Sequence, residues 1–381
     1  MPTSEIHSPP ARSAGPTTLI AAGGTGGHIF PGIAVAQEIE RRDPARRIVF
    51  VGTRRGLEGR LVPRAGHELA LLPIRPLIGV GWARTLLGLL ALPYGLLRAL
   101  VLVLRLRPDA VLGVGGYAGG PVVLVAALLG IRTVVLEPNA SPGFTNRLLG
   151  PVVKHAACGY EEACRAFGHK GVLTGNPVRS QLAHLPTRAH GAPFTLLAFG
   201  GSQGSRVLNQ ALLLALPHLP GADRLRIVHQ TGAAMHSEVV AGYKAAGRRD
   251  WDEVLPFIDD MDRRYAQADL VLSRSGATTC AELAATGRAA ILVPFARAAG
   301  DHQRVNARAF AAAGAAVVID EPQLSGQTLS AAVRAIIDDP ARLASMEQAA
   351  RALARPDASA RVTDLLLGSV EPPQEGSTRD A

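Results

Sequence analysis

The sequence predicts an α/β protein built from two Rossmann-like domains. Three observations predict it. Short apolar, β-branched runs alternate with longer helical patterns along most of the 381 residues. Nearly all the turns rich in glycine or small residues fall just after those runs, where open α/β sheets bind ligands. One unit also occurs twice. TLIAAGGTGG (18–27) is echoed by TLLAFGGSQG (195–204), each an apolar strand ending in a glycine-rich turn that opens a helix.

The elements follow in chain order. Residues 1–16 carry no apolar signal-peptide run and read as a disordered tail rich in Pro, Ser and Thr. The first domain, residues 17–175, has candidate strands at TTLIAA (17–22), RIVFV (47–51), DAVLGV (109–114) and RTVVLE (132–137). The second, residues 176–354, has FTLLAF (194–199), LRIVHQ (225–230), ADLVLS (268–273), AAILVP (289–294) and AAVVID (315–320). Runs this apolar suit parallel strands covered by helices on both faces. TGNPVR (174–179) breaks any regular element and is the expected hinge. Residues 355–368 fit a last helix, and residues 369–381 read as a second disordered tail.

Composition narrows the function. Hydrophobic residues make up 48% and charged residues 19%, which suits sizeable cores. The formal charge of +9 favours anionic partners. Aromatics are only 4%, and the arginines are scattered without a reader motif, so no nucleic-acid partner is expected. Cys158, Cys164 and Cys280 form no CxxC pair, which argues against both a disulfide framework and a zinc site. The most apolar stretch, residues 76–108, is interrupted by Gly88, Pro93, Gly95 and Arg98. It reads as a core helix plus an apolar patch, not a span. Trp82 and a fringe of Arg75, Arg84, Arg98, Arg105 and Arg107 suit the surface of an anionic membrane.

LIAAGGTGGHIFPG (19–32) is the sharpest local signal. Such a loop lets backbone N–H groups approach a ligand, and the helix end that follows attracts phosphate. It is not a dinucleotide fingerprint. Gly24 and Gly26 would need a third glycine at 29, where Ile29 stands, and VFVGTRRG supplies Arg54 and Arg55 in place of the acidic ribose ligand. No P-loop motif occurs either. His28 opens the helix, where the positive dipole end favours a neutral imidazole that can accept a proton. It can also be a mere cap.

More loops of this kind follow. GVGGYAGGPV (113–122) is a second glycine cluster. LEPNASPGFTNRLL (136–149) offers Glu137, Asn139 and Asn146. FGGSQGSRVLN (199–209) opens the second domain. LSRSGATTCAEL (272–283) turns from strand into helix, and PFARAAGDHQRVNA (294–307) presents Asp301, His302, Gln303 and Asn306.

Together GGTGGHIFPG, GVGGYAGGP, EPN, GNPVR, GGSQGSRVLN, FIDDM, SRSGATTCAEL and DHQRVNA span Gly23 to about Ala307. In this order they closely resemble the MurG family, the cytoplasmic N-acetylglucosaminyltransferases of peptidoglycan synthesis. The resemblance implies GT-B architecture, two Rossmann-like domains facing a cleft that holds the active site. It implies inverting transfer of N-acetylglucosamine from UDP-GlcNAc to the C4 hydroxyl of the muramyl sugar of lipid I, giving lipid II. It also implies a peripheral enzyme on the cytoplasmic face of the plasma (inner) membrane, with an acceptor- and membrane-associating first domain and a UDP-GlcNAc-binding second one.

By position, the resemblance gives Thr25, Gly26 and Gly27 to the first sugar-nucleotide loop, and Asn139 and Arg179 to further nucleotide-sugar contacts. Ser202 falls beside the diphosphate and Ile258 beside the uracil. Ala277, Thr278, Thr279, Cys280, Ala281 and Glu282 form the helix-start segment, with Glu282 on the ribose hydroxyls. Gln303 would hold hydroxyls of the donor sugar, and His28 matches a histidine proposed as the base. Two positions depart: Pro138 stands where glutamine is frequent, and Arg304 where an uncharged polar residue is common.

Direct displacement at the anomeric carbon needs a base, stabilisation of the departing diphosphate, and in-line positioning. Backbone N–H groups of residues 200–205 and the helix end after them suit the second need. Asp260 and Asp262 have a D-x-D spacing that holds metals in another glycosyltransferase fold, but Asp beside a helix start is ordinarily a cap. No metal or other cofactor is expected. Rival readings remain open: a UDP-GlcNAc epimerase or another enzyme of the same architecture, and a non-catalytic nucleotide-binding protein.

Overall fold

The computed structural model describes residues 6–7, 15–53, 56–74, 82–116, 119–183, 185–186, 190–191, 193–221, 223–248, 252–296 and 301–369, without the side chains of 6–7 and 82–92. Arg54, Arg55, Arg75 and most of both expected tails lie outside these residues, as do the side chains of Trp82 and Arg84. The chain divides into two compact units. One takes Met1–Arg179 together with Asp357–Ala381, and the other Ser180–Pro356.

The first unit is an eight-stranded sheet in the order β1-β4-β3-β2-β5-β6-β7-β8. Its strands are β1 (Ile6–His7), β2 (Thr17–Ala22), β3 (Arg47–Gly52), β4 (Glu68–Leu71), β5 (Ala110–Gly115), β6 (Arg132–Glu137), β7 (His155–Cys158) and β8 (Gly171–Leu173). All pairings are parallel except that of β1 with β4. Helices α1 (Gly26–Arg42), α2 (Glu58–Arg64), α3 (Trp82–Leu106), α4 (Gly119–Leu128), α5 (Phe144–Leu149) and α6 (Glu161–Phe167) connect them. Alternate residues of a strand enter opposite cores. Leu19, Val49 and Val111 meet Leu102 and Val122 on one face, while Ile20, Phe50 and Leu112 meet Ile29 and Val35 on the other.

At residues 6–7 the structure departs from the expected disordered tail. Ile6 and His7 pair antiparallel with Ala70 and Leu69. The open edge of β4 offers unpaired backbone groups, and such an edge takes an added strand readily. The sequence reading also omitted β4, β7 and β8, which are short and, in ELAL and HAAC, lack β-branched residues.

α3 matches the reading of residues 76–108. Ala99, Leu102, Val103 and Leu106 are buried, whereas Tyr94, Leu97, Val101 and Leu104 are each more than half exposed. The buried set follows the i, i+3, i+4, i+7 spacing and the exposed set i, i+3, i+7, i+10, so the described part of the helix is apolar on two faces and only one is covered. Among the described residues, no helix is long and apolar enough to cross a membrane.

The second unit is a six-stranded parallel sheet in the order β11-β10-β9-β12-β13-β14. Its strands are β9 (Phe194–Phe199), β10 (Leu225–Gln230), β11 (Glu253–Leu255), β12 (Leu270–Ser273), β13 (Ala289–Leu292) and β14 (Ala316–Val318). Helices α7 (Ser180–Ala183), α8 (Arg206–Ala215), α9 (His236–Ala245), α10 (Met261–Gln267), α11 (Ala277–Thr286), α12 (His302–Ala312), α13 (Gly326–Ile337) and α14 (Pro340–Ala352) surround it. The last three predicted strands run shorter than expected, and β11 was not anticipated.

The final helix, α15 (Ala358–Leu367), packs on the first unit and not on the second, which it follows in the chain. It lies beside α1 and across β5, β6 and β7. Val362, Leu365 and Leu366 enter the core that holds Ile33, Ile39 and Leu136. Arg42 Nη1 pairs with Asp364 at 2.5 Å, and Arg132 Nη1 donates to the Leu365 carbonyl at 3.4 Å.

Candidate active site

In the first unit the glycine loop leaves β2 and enters α1. Thr25 is the N-cap residue, but no side chain caps the helix. Thr25 and Gly27 are exposed, Gly26 is buried and His28 is half-buried. His28 Nδ1 donates to the Gly23 carbonyl at 3.1 Å. That bond fixes the tautomer and leaves the lone pair on Nε2. Burial lowers the imidazole below its ordinary pKa; the Gly23 bond and the carboxylates of Glu137 and Glu58 pull the other way. Desolvation therefore supplies the neutrality that the sequence reading credited to the helix dipole.

The second glycine cluster shapes this pocket. A Cβ on Gly115 would lie 3.0 Å from His28 Cδ2 and 3.1 Å from Nε2. Gly116 has φ of +78° and backs directly onto the Gly23 carbonyl, where no side chain fits. Beneath the loop sits Glu58, fully buried; its Oε1 accepts from Thr53 N at 2.9 Å, Thr53 Oγ1 at 3.2 Å and Gly24 N at 3.3 Å.

Glu137, at the end of β6, is the hub of the neighbouring loop. Its Oε1 accepts from Asn139 N at 3.0 Å and Asn139 Nδ2 at 3.1 Å. Its Oε2 accepts from Gly143 N at 2.8 Å and Asn146 Nδ2 at 2.9 Å. Asn139 is thus held by a carboxylate from its own strand end. Arg179 stacks its guanidinium 4.1 Å from the centre of the Phe30 ring, on α1 two residues after His28.

In the second unit the turn 200–205 joins β9 to α8. Ser205 caps α8 by accepting from Leu208 N at 3.4 Å. Gly204, with φ of +77°, packs against the Thr231 carbonyl so closely that only glycine fits. Ser202 is half-exposed on this turn. Arg274, buried, holds the strand ends together. It donates to Ser205 Oγ at 3.0 Å and to the Val293 and Pro294 carbonyls at 3.2 Å each, and pairs with Glu321 at 2.5 Å. Sequence reading quoted Arg274 inside a motif without choosing it.

α11 starts at Ala277 with Gly276 as N-cap and no capping side chain. Its first turn is the kind of end that binds anions. Glu282 is buried on this helix, and its Oε2 accepts from Tyr265 OH at 3.3 Å. Cys280 lies buried on the same first turn. Its thiol is 1% exposed and pushed up to about 12 by burial, and its N–H is spent on the Gly276 carbonyl at 2.9 Å. Ile258 is buried, with its N–H on Gln230 Oε1 at 2.9 Å. Gln303 accepts from Phe295 N at 3.0 Å through Oε1, which leaves its NH2 end as the one to offer. Arg304 turns to Asp301 at 3.5 Å and Asp320 at 3.6 Å.

Asp260 occupies the N-cap position of α10, as expected, yet makes no side-chain cap bond and pairs instead with Arg264 at 3.2 Å. Among the described residues, no cluster of three or more His, Cys, Asp or Glu side chains is arranged to hold a metal ion. A cleft of about 1540 Å³ lies at the other end of the first sheet, at the starts of β6, β7 and β8. Arg132, Lys154, Arg165 and Lys170 line it, and none of the candidate residues does.

Residues 18–158 match the glycosyltransferase family 28 N-terminal domain, and residues 195–362 its C-terminal domain. A UDP-N-acetylglucosamine–N-acetylmuramyl-(pentapeptide) pyrophosphoryl-undecaprenol N-acetylglucosamine transferase of Anaeromyxobacter dehalogenans is 48% identical over 354 residues, 92% of each chain. That of Myxococcus xanthus is 47% identical over 353 residues, again 92% of each. The crystal structure of Acinetobacter baumannii MurG superposes with a TM-score of 0.70 at 31% identity, covering 93% of this chain and 100% of that one. A UDP-GlcNAc 2-epimerase from Neisseria meningitidis, at 14% identity and a TM-score of 0.65, shares the fold, covering 92% of this chain and 100% of its own. Two parallel-sheet units, the family 28 domains and this identity over nearly the whole length place the chain in the MurG family of N-acetylglucosaminyltransferases.

Proposed function

We propose that this chain transfers N-acetylglucosamine from UDP-GlcNAc to the C4 hydroxyl of the muramyl sugar of lipid I, forming lipid II. The observation that carries the chemistry is His28: an imidazole anchored through Nδ1, with Nε2 as its basic nitrogen and its pKa lowered by burial. In this reading Nε2 takes the proton of the acceptor hydroxyl as its oxygen attacks the anomeric carbon. The bond from that carbon to the UDP oxygen breaks, and the configuration inverts.

The departing diphosphate is met by the turn 200–205, with Ser202, and by the first turn of α11 from Ala277 to Thr279. Glu282 takes the ribose hydroxyls, Gln303 the sugar hydroxyls, and the Ile258 loop the uracil. Thr25, Gly26, Gly27, Asn139 and Arg179 complete the sugar-nucleotide contacts. These donors neutralise the leaving group without a metal, and Asp260 is committed to Arg264.

The deciding experiment measures UDP release from UDP-GlcNAc in EDTA, with and without a lipid I analogue. Release that depends on the acceptor and persists in EDTA is the expected result. Release without acceptor would favour an epimerase or hydrolase reading, and activity restored only by Mg²⁺ would return Asp260 and Asp262 to the mechanism.

The acceptor is lipid-linked, so the first unit also works at a membrane surface, as a peripheral protein on the cytoplasmic face. Tyr94, Leu97, Val101 and Leu104 on α3, with Phe144 and Leu148 on α5, are exposed apolar residues, and the cations of the cleft at the foot of β6–β8 lie in the same unit. Such a surface binds anionic bilayers without crossing them. The protein is expected to sediment with anionic vesicles at low salt. The double change Leu97→Glu, Leu104→Glu is expected to weaken this about a hundredfold or more, the scale of removing two buried leucines. Failure of the unaltered protein to bind such vesicles would exclude the membrane reading.

A further inference from the structure

Two loops of the second unit that the proposed function assigns to UDP come from different elements. The turn 200–205 follows β9, and the segment around Ile258 lies between β11 and α10. One buried amide joins them. Gln230, the last residue of β10, is 2% exposed. Its Nε2 donates to the Gly201 carbonyl at 2.7 Å, and its Oε1 accepts from Ile258 N at 2.9 Å. Only a side chain that donates at one end and accepts at the other satisfies both partners.

The strand end that carries Gln230 is itself braced. His229 points to the opposite face, as neighbours in a strand must. Its Nε2 meets Asn209 Oδ1 at 3.1 Å, and its Nδ1 meets Tyr243 OH at 3.2 Å. Asn209 Nδ2 passes the contact on to the Thr231 carbonyl at 2.8 Å, against which Gly204 packs. Gln230 therefore projects from a fixed base, so the spacing it sets between the two loops is rigid.

We propose that Gln230 is a positioning residue for the sugar-nucleotide donor: it couples the diphosphate turn to the uracil loop, so that both ends of UDP find their partners in register. This rests on the UDP-GlcNAc reading of the unit. Without the amide, each loop keeps its own turn but the two lose their common reference. Donor binding then suffers while the chemical step, once the donor is bound, does not.

The test uses the full chain, with UDP-GlcNAc varied at saturating acceptor and UDP binding measured by calorimetry. Gln230→Leu is expected to raise the KM for UDP-GlcNAc and the Kd for UDP about tenfold or more. Its kcat should stay within about threefold, with the acceptor KM unchanged. Gln230→Glu gives a readout that a merely structural role would not move. Its ionised form has no hydrogen to offer the Gly201 carbonyl; its protonated form offers an O–H there and a C=O to Ile258 N. Burial beside a carbonyl raises the pKa of such a carboxyl. The ratio of its donor KM to that of the unaltered protein should therefore fall as the pH drops from about 8 to about 5.5, across that raised range. If Gln230→Leu fails to fold, this ratio decides alone. A normal donor KM in Gln230→Leu, or a ratio that does not change with pH in Gln230→Glu, overturns the coupling. An unaltered protein that binds no UDP overturns the underlying reading instead.

Discussion

His28→Ala is expected to lower kcat by about a hundredfold or more, the scale of removing a general base. The donor KM should change little, because the lost interaction develops only as the hydroxyl is deprotonated. The ring is well placed to be missed: Nδ1 is tied to the Gly23 carbonyl, and its far edge rests on Gly115. The pH profile gives an independent check. Burial lowers the imidazole, so the acid limb of kcat/KM should lie below about 6.5, the ordinary histidine value. As the pH falls through the folded-state value, Nε2 takes a proton and the lone pair is gone. Steady-state UDP release with a lipid I analogue measures both effects. Near-normal turnover in the variant, or an acid limb it retains unchanged, would remove His28 from this role.

Glu137→Gln is expected to cost about 2–4 kcal/mol of stability, because the new amide meets donors with a donor. The native carboxylate accepts four hydrogen bonds, two at each oxygen. Glutamine keeps the shape but turns an NH2 toward one of the two pairs. A second effect separates charge from scaffolding. The Glu137 carboxylate raises the His28 pKa, so its loss lets that pKa fall further. The acid limb of kcat/KM should then move to lower pH, opposite to what a loosened, better hydrated histidine would show. Urea unfolding and the pH profile test the two halves. Stability within about 0.5 kcal/mol of the parent, the usual scatter of surface changes, together with an unmoved limb would refute the assignment.

Much of this was legible in the sequence because the main strands carry their own signal. TTLIAA, RTVVLE, FTLLAF and LRIVHQ match β2, β6, β9 and β10 residue for residue. They are apolar on both faces, as strands between two helical layers must be. HAAC, GVL and EVL are too short or too plain to register by themselves and exist because a neighbouring edge pairs with them. The glycine loops were legible as strings. What they lean on was not. Glu58 reaches back 34 residues to Gly24, Gln230 spans 28 to Ile258, and Arg274 spans 69 to Ser205. No local pattern encodes such partners. Cys280 shows the converse: it sits within the matched motif, yet the fold turns it inward.

The placement of α15 bears on how the chain is made. Residues 180–356 are continuous, so the second unit can close as soon as it leaves the ribosome. The first unit cannot. Ile33, Ile39 and Leu136 wait for Val362, Leu365 and Leu366, which emerge only after the whole second unit. The half that is synthesised first is therefore completed after the second, and one apolar flank of its sheet stays uncovered until the whole second unit has been made.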